Sequence, residues 1–245
     1  MKKPKIVVYT AIAGGYDSLK PVLPLWQDEA TFVAFLDKPQ RVPGWEIRTV
    51  HEGFKDPCRN AKIHKILPHK FFPDADYSLW IDGCVRLKSI MPLRQWIKEY
   101  LAKHDQAQCK HWGRDCIYQE GGACLQYHWD LPAIIHRQMD KYFSEGYPRN
   151  NGLGECTVIF RRHTQAVENL NELWWKEISE GSRRDQLSFN YVCHKLGFKY
   201  THLPGTILNN PHFHWLPHTS DRSKPTPRLA HQRRSSVQGN VGGSQ

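Results

Sequence analysis

The segment YSLWIDGCV is the most informative for chemistry, because it places one carboxylate, Asp82, inside an otherwise apolar stretch. Burying an unpaired charge costs several kcal/mol, so this carboxylate needs a partner. A divalent cation is one such partner, since Mg²⁺ or Mn²⁺ on a carboxylate usually keeps coordination positions open for substrate phosphates. An aspartate that closes a strand-end turn with Gly83 explains the pattern equally well. The spacing alone leaves both interpretations open.

Basic residues precede this segment at intervals of three, at Arg59, Lys62 and Lys65. Residues three apart share one face of a helix. Positive charges on such a face can neutralise the pyrophosphate of a leaving group. A solvated helix face is the alternative, and it is the commoner explanation for a run of charges.

A third candidate site is the segment TAIAGGYD, from Thr10 to Asp17, which ends the first apolar run of the chain. Glycines allow a ligand to approach the backbone, and Tyr16 can stack on a base. The segment contains neither GxGxxG nor a Walker lysine, so neither Rossmann dinucleotide binding nor P-loop chemistry is supported. A tight turn with a core tyrosine is the structural alternative, and this segment alone favours it.

Two later segments also contain groups that can do chemistry. In RRDQ, Asp185 can complete a capping box that Ser182 opens, or it can orient a hydroxyl or act as a base at the sheet edge. His212 and His214, with His218 close behind, can ligate a metal. A loop that also contains Pro, Phe and Trp can equally be surface packing.

Alternating strands and helices must position these segments. Buried strands are predicted from apolar runs at residues 5–13, 31–37, 45–50, 77–87 with an interruption at Asp82, 157–162 and 198–203. Helices are predicted from helical spacing of apolar residues at 60–70, 92–104, 131–143, 164–179 and from 182 to about 196. This alternation predicts a single α/β sandwich around a mixed, mostly parallel sheet, whose carboxyl edge would bind the ligand.

Composition limits the class of protein and its partners. The 245 residues carry 34 Lys+Arg against 24 Asp+Glu, a net charge of +10, and 12% are aromatic. This content excludes wholesale disorder, and no apolar run approaches the roughly 18 residues that predict a membrane-spanning helix. Seven Cys without a CxxC pair indicate mostly reduced thiols in a cytoplasmic protein. The spacing of Cys109, His111, Cys116 and Cys124 matches no standard zinc finger.

The composition changes near residue 219. The last 27 residues contain no aromatic residue and have five Lys/Arg against one Asp. We therefore expect a catalytic domain at 1–218 and a flexible basic tail at 219–245. The basic excess makes a nucleic-acid-binding protein an alternative, but the tail lacks interleaved aromatics and the chain has no known reader motif. No nucleic-acid partner is therefore expected.

Several segments occur in a fixed order between about Lys5 and Leu203: YTAIAGGYDSL, RNAKIHKILPH, YSLWIDG, HWGRDCIYQE, GLGECTVIFRRH, WWKEIS and RRDQLSF. In this combination they resemble the TOD/MUCI glycosyltransferase-like family, first catalogued as a domain of unknown function. That family is in turn similar to metal-dependent GT-A glycosyltransferases. The resemblance implies a GT-A-like (Rossmann-like) α/β/α sandwich and a nucleotide-diphospho-sugar donor at the end of the first strand.

The resemblance also implies a metal, Mn²⁺ or Mg²⁺. In GT-A enzymes a DxD motif binds the metal and the diphosphate of the donor, and Asp82 matches its first aspartate. The last position of the motif is Cys84 here, which departs from DxD. A downstream histidine, His212 or His214, is the expected second ligand.

Other site residues follow from the same resemblance. Thr10, Tyr16 and Asp17 match the nucleotide-contacting region, and Arg59 and Lys62 match the basic helix before the motif. Asp185 and Gln186 match the late acidic segment that faces sugar or acceptor, and Asp185 or Glu120 would contact the sugar or activate the acceptor.

The resemblance implies a metal-dependent glycosyltransferase that acts on a glycan, a lipid-linked molecule or another hydroxyl acceptor, in cell-surface polysaccharide biosynthesis. The basic tail could hold such an enzyme at the anionic inner face of a membrane. A metal-dependent hydrolase of the ceramidase type is the alternative from a different class of enzyme. Dependence of turnover on an acceptor distinguishes the two.

Overall fold

A computed structural model of the chain describes residues 3–88 and 91–218. The tail expected at 219–245 lies outside these residues, as does any membrane contact that it makes. Nine strands lie within the described ranges: β1 Ile6–Ile12, β2 Thr31–Leu36, β3 Glu46–Thr49, β4 Tyr77–Ile81, β5 Val85–Leu87, β6 Gln106–Lys110, β7 Gly154–Arg162, β8 Thr201–His202 and β9 Phe213–Trp215.

Seven of these strands form one sheet in the order β3-β2-β1-β4-β7-β6-β8, and β5 pairs with β9 in a second, two-stranded sheet. The pairs of β1 with β2 and β4, of β2 with β3 and of β6 with β8 are parallel. Only β7 is antiparallel to its neighbours in the large sheet as described. The predicted mixed, mostly parallel sheet is therefore confirmed.

Helices cover both faces of the large sheet. The α-helices of the described ranges are α1 Pro57–Ile66, α2 Pro68–Phe71, α3 Leu93–Tyr100, α4 Ile117–Gln126, α5 Pro132–Ser144, α6 Gln165–Glu180 and α7 Asp185–Leu196. Alternate residues of β1 enter opposite cores, as the two-residue period of a strand requires. Tyr9 packs with Trp174 of α6 and Phe189 of α7, whereas Val8 packs with Trp96 of α3. This arrangement confirms the α/β/α sandwich.

Local sequence explains where the elements near the site begin and end. Asp56 caps α1 by accepting a hydrogen bond from the backbone N of Cys58, and Pro57 occupies the first turn. The helix predicted at 60–70 is broken at Leu67, because a residue before proline disfavours helical backbone. The apolar segment 77–87 becomes two strands, β4 and β5, in different sheets.

Strand β6 and helix α4 were not predicted from the sequence. Strand β6 has the sequence QAQCK, in which polar residues hide the strand pattern although most of them are buried. Helix α4 contains two adjacent glycines, Gly121 and Gly122, which weaken a helix prediction. All seven cysteines are free thiols. Within the described ranges, no helix combines the length and the apolar character needed to cross a membrane.

Candidate functional site

The loop after β1 is built on two glycines in left-handed backbone conformation, Gly14 with φ 68° and Gly15 with φ 65°. The N–H of Gly14 donates to Asp37, at the end of β2, over 2.6 Å. A Cβ on Gly14 would lie 3.0 Å from Cβ of Pro57. The loop is therefore fixed between the carboxyl ends of two parallel strands and the first turn of α1.

Asp82 follows β4, the strand beside β1, so the two candidate segments meet at the same sheet edge. Gly83 allows the loop after β4 to pack closely on the loop after β1. A Cβ on Gly83 would lie 2.9 Å from Cδ1 of Ile12 and 3.1 Å from Cβ of Asp17. Both loops thus lie at the carboxyl edge of parallel strands, where open α/β sheets bind ligands.

A chain of alternating charges runs from this edge to the start of α7. The Lys62 Nζ lies 2.8 Å from Oδ2 of Asp185, and the Lys65 Nζ lies 2.7 Å from the same oxygen. Lys65 also donates to Oδ1 of Asp82 over 3.1 Å. The indole of Trp80 donates to that Oδ1 over 2.7 Å. The predicted sharing of one helical face by Lys62 and Lys65 is confirmed.

Burial makes these charges interdependent. The side chains of Lys65 and Asp185 are 4% and 5% exposed. That of Asp82 is 33% exposed, so Asp82 is the end of this chain of charges that solvent reaches. Burial would raise the pKa of Asp185, but Lys62, Lys65 and Arg184 outweigh it and hold the pKa far below its ordinary value. Burial would lower the pKa of Lys65, but Asp185 and Asp82 raise it above its ordinary value.

The capping-box interpretation of Asp185 is wrong. Helix α7 begins at Asp185 itself, and its N-cap is Arg184, which makes no side-chain capping bond. The Ser182 hydroxyl instead donates to Asp130 over 2.6 Å and accepts from the backbone N of Arg184. The carboxylate of Asp185 is therefore directed at the two lysines.

Arg59 lies on the same helix as the lysines but binds a different segment. Its Nη2 donates to the backbone carbonyl of Gly181 over 2.7 Å, and its Nη1 lies 3.7 Å from Asp56. Arg183 also reaches Asp56, at 3.3 Å. These contacts join the start of α1 to the loop before α7, so Arg59 holds the wall of the site in place.

Glu120 belongs to a second buried network beside the first. It is 1% exposed, and its carboxylate accepts from Nε of Arg114 over 2.7 Å. Arg184 lies 3.6 Å from its other oxygen. The ring of His111 lies 3.9 Å from Glu120 and 4.0 Å from Glu155, which is also buried. Arg184 thus connects Glu120 to Asp185 on the neighbouring helix.

The structure does not bring His212 or His214 to Asp82 as a ligand. His212 is buried against the ring of Trp96, and its Nε2 lies 2.7 Å from the hydroxyl of Tyr100. His214 is exposed on β9, opposite Arg86. The strand pairing of β9 with β5 places these side chains away from the loop. The only His/Cys/carboxylate cluster with metal-ligand spacing found in the described ranges contains His218, with Asp17 and Cys84.

Tyr16 is the large side chain that this loop exposes, with 57% of its surface accessible. Its ring centroid lies 4.5 Å from that of His218. The pKa of Tyr16 is raised to about 12, mainly by desolvation of its hydroxyl, with Asp17 and Asp82 adding to the rise and Arg184 opposing it. These groups therefore surround one small region.

Thr10 and Gln186 are less accessible than predicted for ligand-binding residues. Thr10 is 1% exposed on β1, and within the described ranges its hydroxyl has no hydrogen-bond partner. Gln186 is 4% exposed and accepts from Arg184 over 3.2 Å. Its amide nitrogen likewise lacks a partner among the described residues. Both polar groups sit in the wall of the site.

Sequence reasoning missed Glu155 and Trp80. Glu155 is a carboxylate inside the apolar strand β7, the same signal that identified Asp82, and it accepts from the Thr157 hydroxyl over 2.6 Å. The contact between Trp80 and Asp82 had no separate signal, because a tryptophan in an apolar strand is most often a core residue. Cys109, His111, Cys116 and Cys124, whose spacing matches no standard zinc finger, are not part of any cluster with metal-ligand spacing in residues 3–88 and 91–218.

The sequence model of a family described as TOD1/MUCI70, glycosyltransferase-like domain, matches residues 1–207. The chain is 31% identical over 175 residues to "Probable hexosyltransferase MUCI70" of Arabidopsis thaliana, an alignment that covers 67% of this chain and 30% of that protein. It is 24% identical over 164 residues to "Alkaline ceramidase TOD1" of the same plant, covering 62% of this chain and 36% of the relative.

The chain thus spans about a third of the length of the curated relatives it matches. Among solved structures, it is similar to the crystal structure of a glycosyltransferase involved in the glycosylation of the major capsid of PBCV-1. That alignment has a TM-score of 0.43 and 12% identity, and it covers 85% of this chain and 83% of the other.

Proposed function

The chain belongs to the TOD1/MUCI70 glycosyltransferase-like family, and on that premise we propose that it transfers a sugar from a nucleotide-diphospho-sugar donor to a hydroxyl acceptor. In this reaction the acceptor oxygen bonds to the anomeric carbon, the bond from that carbon to the diphosphate breaks, and the hydroxyl proton is released. The chemical difficulty is the negative charge that develops on the leaving diphosphate.

The chain of charges that ends at Asp82 is the observation that supports this proposal most strongly. Lys62 and Lys65 place two ammonium groups within 3 Å of Asp185, behind a partly exposed carboxylate at the sheet edge. Asp82 and Asp185 balance these two ammonium groups, so a diphosphate would bind beside Asp82 through a cation that this carboxylate holds, while Lys65 fixes the carboxylate in position. Arg184 adds a further positive charge near Tyr16.

Asp185 acts in this proposal by positioning the lysines. A carboxylate whose pKa is held far below its ordinary value is a weak base, so it is poorly suited to take a proton from an acceptor hydroxyl. Glu120 has the corresponding task for Arg184 and Arg114. Gln186, held by Arg184, contributes a buried amide beside them.

The residues at the edge fit a divalent cation. Asp82 uses Oδ1 for its bonds to Lys65 and Trp80, and the carboxylate is one-third exposed. The ligand atoms of Asp17, Cys84 and His218 lie within 4.8 Å of one another beside it. A cation bound there supplies Lewis-acid stabilisation of phosphoryl oxygens. The sequence expectation is Mn²⁺ or Mg²⁺, with Asp82 as a ligand.

The remaining assignments are part of the same proposal. The nucleotide binds at the loop from Thr10 to Asp17, with its base on the exposed ring of Tyr16. The acceptor is a glycan or a lipid-linked molecule, and the product belongs to cell-surface polysaccharide. The protein works in the cytoplasm and touches an anionic membrane through residues 219–245. The net charge of +10 supports anionic partners such as the donor and the membrane surface.

Calorimetric titration with UDP, GDP and the corresponding sugars, in Mn²⁺ or Mg²⁺, tests the donor site. We expect saturable binding that Asp82→Asn abolishes with little loss of stability, because an amide oxygen still accepts from Trp80 and Lys65. Asp74→Asn, in the exposed loop before β4 at the opposite edge, is the matched control and should bind like the wild type. Unchanged affinity in Asp82→Asn would remove Asp82 from the donor site.

Hydrolysis is the second candidate function, favoured by the similarity to a protein named as an alkaline ceramidase. Water would then attack an amide carbonyl in place of an acceptor hydroxyl attacking a sugar. Incubation with a ceramide and analysis of the released sphingoid base separates the two. Amide cleavage without consumption of any nucleotide sugar would favour the hydrolase.

A further inference from the structure

Three side chains with different donor atoms converge beside the loop after β1. The ligand atoms of Asp17, Cys84 and His218 all lie within 4.8 Å of one another. The Nδ1 of His218 lies 2.8 Å from Oδ2 of Asp17. Cys84 is 1% exposed, and the side chains of Asp17 and His218 are 4% and 24% exposed. The group therefore combines oxygen, sulfur and nitrogen donors in a largely buried place.

The backbone brings the three residues together from distant parts of the chain. Close packing of Gly83 on Asp17 sets the position of Cys84 relative to the first loop. Pairing of β9 with β5 then continues beyond the strands, because the N–H of Leu216 donates to the carbonyl of Cys84 over 2.8 Å. His218 follows two residues later. Each ligand is therefore positioned by regular structure or by a tight contact.

The donor set selects the kind of ion. Zn²⁺ binds Cys sulfur, His nitrogen and carboxylate oxygen at about 2.0–2.3 Å, so tetrahedral ligand atoms lie roughly 3.4–3.6 Å apart. The three atoms here are close enough that shifts of about 1 Å produce this geometry, with opening of the Asp17–His218 hydrogen bond. Mg²⁺ takes oxygen ligands in a near-ideal octahedron, and a thiolate is a poor ligand for it.

We propose that Asp17, Cys84 and His218 bind a divalent ion of the Zn²⁺ and Co²⁺ class. In the cation site these residues take the place expected for His212 and His214, and Cys84 lies next to Asp82 in the same loop. Three protein ligands leave the fourth position open for water or a substrate oxygen, as in catalytic zinc sites. Metal binding is inferred from the three donor atoms and their spacing. A role for the ion in sugar transfer rests on the proposed function.

Cobalt substitution gives a readout that does not need enzyme activity. The full chain, freed of metal by chelation, is titrated with Co²⁺ and its absorption spectrum recorded. Bonding to Cys84 produces a thiolate-to-cobalt charge-transfer band and the visible bands of a tetrahedral ion. Competition with a chromophoric chelator then measures Zn²⁺ affinity. We expect one ion per chain, bound more tightly than Mn²⁺ or Mg²⁺.

Variants identify the ligands. Cys84→Ser should abolish the charge-transfer band, and Cys84→Ser and His218→Gln should each weaken Zn²⁺ binding by more than about 100-fold. If Cys84→Ser does not fold, His218→Gln still tests the site, because the His218 side chain is partly exposed and its replacement should be tolerated. The matched controls Cys58→Ser and His214→Gln, a second thiol and a second imidazole, should bind like the wild type. A charge-transfer band that survives in Cys84→Ser would overturn the proposal.

The outcomes also separate this proposal from the proposed function. Tight Zn²⁺ binding without nucleotide binding would support the site and count against the glycosyltransferase. Nucleotide binding that requires Mg²⁺ or Mn²⁺, with no thiolate signature from Co²⁺, would refute the site and leave the glycosyltransferase intact.

Discussion

Removal of the carboxylate of Asp185 is the most demanding test of the charge arrangement. In the wild type this group neutralises Lys62 and Lys65, whose side chains are only 12% and 4% exposed. Asp185→Ala leaves two buried ammonium groups without the carboxylate that balances their charge. Breaking a buried ion pair from one side costs about 3–5 kcal/mol. For a chain of this size, that loss lowers the thermal midpoint by roughly 6–20 °C.

The pH dependence of the effect follows from the sign of the pKa shift. The pKa of Asp185 is lowered in the folded state, so its contribution to stability is complete above its unfolded value of 3.8 and is lost as the pH falls below that value. The stability difference between the wild type and Asp185→Asn should therefore be constant from pH 7 to about pH 5 and shrink below pH 4. Asn should cost less than Ala, because its oxygen still accepts hydrogen bonds.

Chemical denaturation at several pH values measures these differences. Glu46→Gln is the control, since Glu46 forms an exposed ion pair with Arg48 and its loss should cost at most about 1 kcal/mol. Two results would refute the reasoning. One is a loss in Asp185→Ala no larger than in the control. The other is a difference that stays constant down to pH 3.

Three further predictions concern substitutions elsewhere in the site. Lys65→Met should destabilise the protein more than Lys62→Met by denaturation, because Lys65 balances two carboxylates and Lys62 only Asp185; equal losses would contradict this. Gly15→Ala should cost about 1–2 kcal/mol for its left-handed backbone, and Gly14→Ala more, because its Cβ also meets Pro57 at 3.0 Å; thermal unfolding of both variants checks the order. Glu120→Gln should lower the thermal midpoint by several degrees by leaving Arg114 and Arg184 with a weaker partner, and a wild-type midpoint would show that the network is not needed.

The sheet edge could be predicted from the sequence because its signals are local. The strand before Gly14 and the carboxylate after Ile81 are each visible within about ten residues of sequence, and parallel strands place their ends together. The helical face of Lys62 and Lys65 follows from spacing alone. Each of these features depends on the spacing of apolar or charged residues or on the position of a glycine, and a single sequence shows both.

The partners of these groups could not be predicted, because they depend on long-range packing. Spacing allowed Asp185 to be a helix cap, but the helix begins at that residue and its carboxylate meets a lysine more than a hundred positions earlier. His212 was an expected metal ligand and His218 was not, although the sequence spacing of the two histidines gave no physical reason to separate them. Their different places follow from the pairing of β9 with β5, which buries one and leaves the other at the loop.

The most direct test of the central claim is turnover of a nucleotide sugar selected by the calorimetric titration. Release of nucleoside diphosphate is measured with and without a panel of hydroxyl acceptors, and the products are identified by mass spectrometry. The account predicts that an acceptor accelerates release, that the sugar appears on the acceptor, and that Asp82→Asn lacks both activities while remaining folded. Absence of nucleotide-sugar turnover by a correctly folded chain, together with cleavage of a ceramide amide, would contradict it.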